Sequence, residues 1–273
     1  LRRTSAPAIM ADMKIATWNV NSIKARLDNA LAWLRQANPD IVCLQELKCE
    51  GHAFPAQAFE ELGYNVLVHG QKTYNGVAIL SKFTPEDVTR GLAGEEDDTQ
   101  ARYLEAVFAR KSGVVRVASI YLPNGNPLGT EKFDYKLRWM DRLRAHAKAL
   151  LKLEEPLVLA GDYNVIPTPL DARHPENWVN DALFQPQSRA RFRTLLNLGL
   201  TDAIRQVHGD TPGLYTFWDY QAGAWQRNNG IRIDHLLLSP QAADLLTSAQ
   251  IEREVRTQEK PSDHVPVVIE LKA

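Results

Sequence analysis

The sequence predicts an α/β fold of the mixed α+β kind: one domain in which two mostly antiparallel β-sheets pack face to face, with helices outside them. Three observations carry this. Strand-like apolar runs outnumber helical ones, and both kinds are spread along the chain. The central runs are joined by short turns such as Lys111-Ser112-Gly113, a hairpin signal. No low-complexity linker and no repeat of fixed period divides the 273 residues, of which 44% are hydrophobic, so one large core is favoured over two small ones.

The elements follow in order. Ile15-Ala16-Thr17-Trp18 is a buried strand. Ile23, Leu27, Ala30, Leu31 and Leu34 then recur at helical spacing until Asn38-Pro39 stops them. Ile41-Val42-Cys43-Leu44 is a second strand, and further strands are expected at residues 64–68, 76–81, 103–108 and 114–121. Among these, Glu95-Glu96-Asp97-Asp98 lacks the glycine and spacing that would wrap an ion and reads as a solvated loop. Phe133, Leu137, Met140, Leu143, Ala147 and Leu150 mark a second helix face, and Pro156 precedes the strand Leu157-Val158-Leu159-Ala160. The helix-then-strand order thus recurs. A helix at about residues 189–198 and strands at residues 231–238 and 265–271 complete the domain, which spans residues 13–273. Residues 1–12 are small, polar and basic without a hydrophobic signal core, and read as a disordered leader.

The 32 Lys and Arg nearly balance 33 Asp and Glu, giving a formal charge of -1. A polyanionic partner must therefore meet a local positive face. No run of apolar residues is long enough to span a membrane. The two cysteines, Cys43 in an apolar run and Cys49 beside a polar cluster, read as free thiols of a cytoplasmic protein.

Polar clusters stand at the ends of four apolar runs: Trp18-Asn19-Val20-Asn21, Leu44-Gln45-Glu46-Leu47-Lys48, Gly161-Asp162-Tyr163-Asn164 and Ser262-Asp263-His264. Strand ends deliver side chains to one rim, which is how α/β proteins build sites. Asp162 and Asn164 are two apart in an extended stretch and should point the same way, as should Asn19 and Asn21. Glu46 ends a buried run, so it must be paired, solvated or metal-bound, with Lys48 as the nearest cation. Neighbours in an extended segment diverge, so Asp263 is a poor partner for the His264 ring and Asp234 is the better one. Tyr121 closes a strand and can reach a substrate oxygen. Phe217, Trp218 and Tyr220 precede a polar loop at residues 226–230 and could stack on nucleotides. Taken singly, these features have plainer readings: a polar turn, a surface ion pair, a structural histidine, core aromatics. Together they form an oxygen-rich donor set of the kind that suits Mg²⁺, with Mn²⁺ as a substitute.

These clusters, in this order, resemble the exonuclease III family of apurinic/apyrimidinic (AP) endonucleases, within the endonuclease/exonuclease/phosphatase superfamily. The resemblance covers residues 13–272 and includes Tyr121-Leu122-Pro123-Asn124-Gly125, Tyr215-Thr216-Phe217-Trp218-Asp219-Tyr220 and Arg232-Ile233-Asp234. It implies a four-layer, deoxyribonuclease-like sandwich and a Mg²⁺-dependent monomer acting on duplex DNA with abasic sites or blocked 3′ ends. Glu46 would be the principal metal ligand, assisted by Asn21 and Asp263. Asp162 would orient and deprotonate water, while Asn19, Asn164 and His264 bind the phosphate and Asp234 holds the His264 ring. Tyr121 would hydrogen-bond the phosphate or assist the leaving group, and Lys48, Arg102 and Asn124 would grip flanking phosphates. Phe217, Ile231 and Ile233 would line a pocket for a base-less sugar, with Trp218 and Asn228 on the same DNA-facing side; Ile231 stands where some relatives carry tryptophan. Two rivals remain at this level: a phosphatase of the same fold acting on inositol phosphates or lipids, and a non-catalytic DNA-binding copy. The Phe217-Trp218 stretch opposes the first, and the complete set of carboxylates, amides and histidine opposes the second.

Overall fold

The structure is a computed structural model that describes residues 12–110 and 113–272. The expected disorder of the leader, and Lys111 and Ser112 of the expected turn, fall outside the described residues. The strands are β1 (Met13–Asn19), β2 (Ile41–Gln45), β3 (Asn65–His69), β4 (Val77–Ser81), β5 (Pro85–Arg90), β6 (Tyr103–Arg110), β7 (Gly113–Tyr121), β8 (Leu157–Asp162), β9 (Thr201–Asp202), β10 (Asp234–Leu238), β11 (Leu246–Ile251) and β12 (Val267–Leu271). The α-helices are α1 (Leu27–Ala37), α2 (Ala56–Glu60), α3 (Glu131–Leu151), α4 (Pro186–Leu196), α5 (Ala203–His208) and α6 (Pro240–Ala243). Two six-stranded sheets result, in the orders β11-β12-β1-β2-β4-β3 and β5-β6-β7-β8-β10-β9.

Period-two alternation turns these sheets into four layers. Ile15, Ile41, Cys43, Val77 and Ile79 of the first sheet meet Leu104, Val117, Val158, Ala160 and Leu236 of the second in a dry seam. The opposite face of the first sheet, with Ala16, Trp18 and Val42, packs on Trp33 and Leu34 of α1. The opposite face of the second, with Ile120, Leu159 and Leu237, packs on Trp139, Met140 and Leu143 of α3 and Phe192 of α4. Antiparallel pairing dominates, as expected, and the parallel pairs are β1–β2 and β7–β8. Each spans a helical crossover, through α1 and α3, so the recurring helix-then-strand order of the sequence marks two equivalent units, one per sheet.

Element edges moved where local chemistry overrode periodicity. Ile23 is buried in a turn and α1 begins at Leu27, while Asn38 ends it in the left-handed region with its N–H on the Leu34 carbonyl. The helix expected at residues 189–198 starts instead at Pro186, a residue suited to the first turn. The strand expected from residue 231 begins at Asp234, because Ile231 makes only isolated bridges to Ala172 and Phe217. Strands β5, β9 and β11 were not expected; β5 and β11 alternate weakly, and β9 is two residues long. In the acidic run Glu96 and Asp97 are exposed, whereas Arg142 pairs with Glu95 at 3.2 Å and Asp98 at 2.7 Å.

Gly161 explains one motif residue outright. It lies opposite Ile120 in the β7–β8 pair, and a Cβ there would stand 1.9 Å from the Ile120 carbonyl oxygen. Gly161→Ala should therefore force β7 and β8 apart and lower stability by about 3 kcal/mol, the upper end of overpacking costs. Chemical denaturation checks this; a loss below about 1 kcal/mol would mean that the strands separate freely.

Candidate active site

The site is the end of the inter-sheet seam. Side chains that face the opposite sheet are apolar along most of each strand and become polar at one end: Asn19 after Ile15, Gln45 after Cys43, Asp162 after Ala160, and Asp234 before Leu236. Gln45 caps the apolar part, donating to Thr17 Oγ1 at 3.0 Å and Ser119 Oγ at 3.1 Å. The two ends of the chain lock each other here. Trp18 Nε1 donates to the His264 carbonyl at 3.1 Å, and Ser262 Oγ donates to the Asn19 carbonyl at 2.8 Å.

At the centre, Asp162 and Asp234 lie directly opposite each other in the β8–β10 pair. Both are buried. His264 Nδ1 donates to Asp234 Oδ2 at 2.8 Å, and its Nε2 stands 3.8 Å from Asp162 Oδ2. Thr216 Oγ1 also donates to Asp234 Oδ2, at 2.6 Å, while Asp234 Oδ1 is buried without a hydrogen-bond partner among the described residues. Burial alone would lower the His264 pKa, but Asp234 and Asp162 overcome it and hold it at about 10, so the ring is a cation at neutral pH. Burial drives the Asp162 carboxyl upward; the His264 charge pulls it back and the Asp234 charge pushes it up again, leaving it at about 7. Asp162, Asp234 and His264 each offer an atom within 4.8 Å of the others, a spacing compatible with one metal ion.

A second group adjoins the first through Asn19. Its Nδ2 donates to Glu46 Oε2 and to Asp162 Oδ2, both at 2.9 Å. Glu46 pairs with Lys48 at 3.0 Å, and Lys48 Nζ also donates to Asn21 Oδ1 at 2.6 Å. Asn21 Nδ2 donates to Asp263 Oδ1 at 3.0 Å. Burial would raise the Glu46 pKa, but the Asn19 hydrogen bond and the Lys48 charge bring it below the ordinary carboxylate value. Tyr121 is half-buried; burial, with the charges of Glu46 and Asp162, drives its phenol pKa well up, so it is a proton donor at any physiological pH. Arg102 lies over the Tyr121 ring at 5.0 Å and donates to its carbonyl at 3.2 Å.

The backbone holds these groups differently from the expectation. Asn21 and Asn164 are not in extended chain: their φ values are 44° and 47°. Asn19 Oδ1 accepts from the Asn21 N–H and Asp162 Oδ1 from the Asn164 N–H, each at 2.9 Å, so the same Asx-type turn closes both motifs. Ser22, Glu46 and Lys48 also have positive φ, at 84°, 57° and 55°. Such strain gathers where geometry is functionally fixed.

Beside the centre is a cavity of about 260 Å³ lined by Trp178, Phe217, Asn229 and Ile231 among others. The Phe217 ring lies 5.0 Å from the His264 ring, so the cavity abuts the carboxylate pair. Ile233 packs behind it with Ile231, Phe184 and Leu183. Trp218 requires a correction. It is fully buried, packed on Tyr215 and Trp225, and its Nε1 donates to Asn228 Oδ1 at 3.1 Å. It cannot stack on a nucleotide from there; it supports the Asn228 loop, whose amide oxygen also accepts from Arg253 at 3.0 Å. On the opposite side Asn124 Nδ2 donates to Asn164 Oδ1 at 3.1 Å.

Several residues escaped sequence reasoning. Trp178 follows no pattern. Tyr74, 68% exposed, sits in the loop whose Asn75 carbonyl accepts from the Lys48 N–H. Arg232 is buried between Asp171, at 2.6 Å, and Asp202, at 2.7 Å, and fixes the chain just before Asp234. Lys136 could have been found: it falls on the buried face of α3 with Trp139, Met140, Leu143 and Ala147, and a lysine on an apolar stripe marks a buried charge.

Comparison with known proteins agrees with this geometry. The family model described as endonuclease/exonuclease/phosphatase family matches residues 16–264. Exodeoxyribonuclease III of Haemophilus influenzae is 32% identical over 267 residues, 95% of this chain and 100% of that protein. The solved structure of an AP endonuclease from Archaeoglobus fulgidus is 38% identical with a TM-score of 0.90, covering 96% of this chain and 100% of that one. A 3′ phosphatase from Neisseria, solved bound to a product DNA hairpin, is 41% identical with a TM-score of 0.91, again over 96% of this chain and 100% of that one. With its carboxylate pair and histidine at the seam of two such sheets, the chain belongs to the exonuclease III and AP endonuclease group of the endonuclease/exonuclease/phosphatase family.

Proposed function

We propose that this DNA repair nuclease hydrolyses the phosphodiester on the 5′ side of an abasic site in duplex DNA, leaving a 3′-hydroxyl. The same centre would remove nucleotides and blocking groups from 3′ ends. The observation that carries this reading is the juxtaposition of a buried Asp162–His264–Asp234 centre with the apolar wall of Phe217 and Ile231. The centre suits a phosphate under attack; the wall suits a sugar without a base.

The chain's own groups divide the work. Asp162, held by Asn19 and the Asn164 N–H, is placed to take a proton from water. The His264 cation and the Asn164 amide are donors for the charge that develops on phosphate oxygens, whereas Asn19, expected to share that role, gives both Nδ2 hydrogens to Glu46 and Asp162. Asp234 keeps the ring in place and cationic. Tyr121 keeps its proton and can donate it toward the leaving oxygen. Glu46, Asn21 and Asp263 would hold a divalent ion; the Lys48 ammonium against Glu46 and Asn21 oxygens, and the Asn21 bond to Asp263, support this reading. A bound Mg²⁺ would supply charge neutralisation at the phosphate. Asp162, Asp234 and His264 form the other candidate group for that ion, though His264 Nδ1 is already engaged with Asp234. With a net charge of -1, duplex affinity must come from a local rim, with Lys48, Arg102, Asn124 and the exposed Tyr74 as its members.

The direct test is a duplex carrying one abasic analogue, incubated with Mg²⁺ and then with EDTA, with the product ends resolved. The expected product is a single nick ending in a 3′-hydroxyl, lost with EDTA. A 3′-unsaturated aldehyde would mean lyase chemistry, and free phosphate without nicking would favour the phosphatase reading.

Water activation needs Asp162 ionised, the form present above about 7, and the phosphate site needs His264 protonated, the form present below about 10. Activity should thus rise as pH passes about 7 and fall as it passes about 10. A kcat/KM profile checks this; an acid limb near the ordinary carboxylate value of about 4 would remove Asp162 as the base.

Glu46→Gln should raise the Mg²⁺ concentration needed for half-maximal activity by about tenfold or more, since an amide is a poorer ligand for a hard cation. An unchanged magnesium titration would take Glu46 off the ligand set. Lys48→Ala and Arg102→Ala should weaken binding to abasic and intact duplex alike and flatten the salt slope by about one unit each. Phe217→Ala should instead depress incision at abasic sites more than binding of intact duplex. The same pattern from all three variants would abolish the division between rim and pocket.

A further inference from the structure

Lys136 is fully buried, the one lysine so placed among the described residues, in the second turn of α3. Its Nζ donates to the Asn124 carbonyl at 3.0 Å and to the Asn164 carbonyl at 2.5 Å. Those carbonyls belong to the loops that follow β7 and β8. Each loop carries one amide of the pair in which Asn124 Nδ2 meets Asn164 Oδ1. Asn164 in turn donates its own N–H to Asp162. One amino group therefore joins the two loops directly beneath the amide pair, beyond the last β7–β8 register at Tyr121 and Asp162, where Leu122 N–H to the Asp162 carbonyl and Asn164 Nδ2 to the Leu122 carbonyl also link them.

The loops are shaped around this side chain. Gly125 has a φ of 89°, and a Cβ there would stand 2.6 Å from Lys136 Cδ. Burial pushes the Lys136 pKa down to about 7, against the pull of Asp162 and Asp181 and with a further push from Arg102. In either protonation state the amino group keeps at least two N–H bonds, matching its two carbonyl acceptors. A buried amine needs such partners, and an apolar side chain of equal length would leave both carbonyls without their donor.

We propose that Lys136 is a positioning residue for phosphodiester hydrolysis: by clamping the main chains of Asn124 and Asn164, it sets the direction in which their amides meet the phosphate. This rests on the functional reading above for the reaction, though not for the clamp itself. The lysine touches neither phosphate nor water and acts through the asparagines.

The test uses the full chain with Lys136→Met, which keeps the stem and loses the donors. Lys136→Gln, which keeps N–H donors on a shorter stem, serves if the first fails to fold. Side-chain amide resonances of Asn124 and Asn164, assigned through their alanine variants, should shift or broaden without DNA, while that of Asn29, on the remote α1, stays put. On an abasic duplex kcat should fall about 10- to 100-fold, as for small misplacements of catalytic groups. KM should rise by less than kcat falls, because Lys48, Arg102 and Tyr74 of the rim stay in place and only Asn124 is disturbed. Adding Lys136→Met to the Asn124→Ala/Asn164→Ala double variant should make it little worse, since the lysine acts through that pair of amides. Unmoved asparagine resonances, or losses that multiply, would overturn the proposal. A wild-type chain that fails to nick the duplex would instead defeat the functional reading, with the resonances still deciding the clamp.

Discussion

Two carboxylates directly opposite each other in one strand pair, both almost fully buried, are the constraint around which this molecule is arranged. Asp162 and Asp234 would each cost several kcal/mol to bury as isolated charges, and their mutual repulsion adds to that. Every motif residue nearby answers one part of the problem. His264 places a cation between them, Asn19 and the Asn164 N–H satisfy Asp162, and Thr216 satisfies Asp234. The Trp18 and Ser262 contacts then hold the compensating residues, which come from opposite ends of the chain. Behind them Arg232, between Asp171 and Asp202, fixes the segment from which Asp234 emerges. The proposed chemistry rests on the same compensation, because it asks a carboxyl held up to serve as base and a ring held cationic to meet the phosphate.

The sheets supply the rigid rim by a repeated device. A parallel strand pair with a helical crossover occurs once in each sheet, β1 to β2 and β7 to β8. The first strand of one unit and the last of the other end in the same Asx-type turn, and their turn-forming side chains meet where Asn19 donates to Asp162. One turn thus presents an amide and the other a carboxylate, so similar backbones supply the donor and the acceptor of one hydrogen bond.

Much of this could be read from the chain. Strand ends announced themselves as polar residues after apolar runs, and the pairing of Asp234 with His264 followed from the divergence of neighbours in extended chain. What could not be read was non-local or depended on backbone angle. Nothing in the order of residues says that Asn21 and Asn164 leave the extended region, so alternation did not foresee that Asn19 and Asp162 would bond the backbone N–H groups two residues on. Phe217 and Trp218 look alike in sequence, and only tertiary packing turns one to the cavity and the other to the core. The edge strands β5, β9 and β11 carry little periodicity because they bury little. Trp178 reaches the cavity from a segment with no pattern of its own.

The left-handed residues at the strand ends have a consequence for how this protein can evolve. Ser22, Glu46 and Lys48 each hold a conformation costing about 1 kcal/mol or more, against a total stability of about 5–15 kcal/mol for a typical fold. At Ser22 a glycine would relieve that cost and should stabilise the chain. At Glu46 and Lys48 the same relief would erase the side chains that meet Asn19, Asn21 and each other. Adaptation to heat can therefore draw on Ser22, the seam and the helices, and has least room at these two positions.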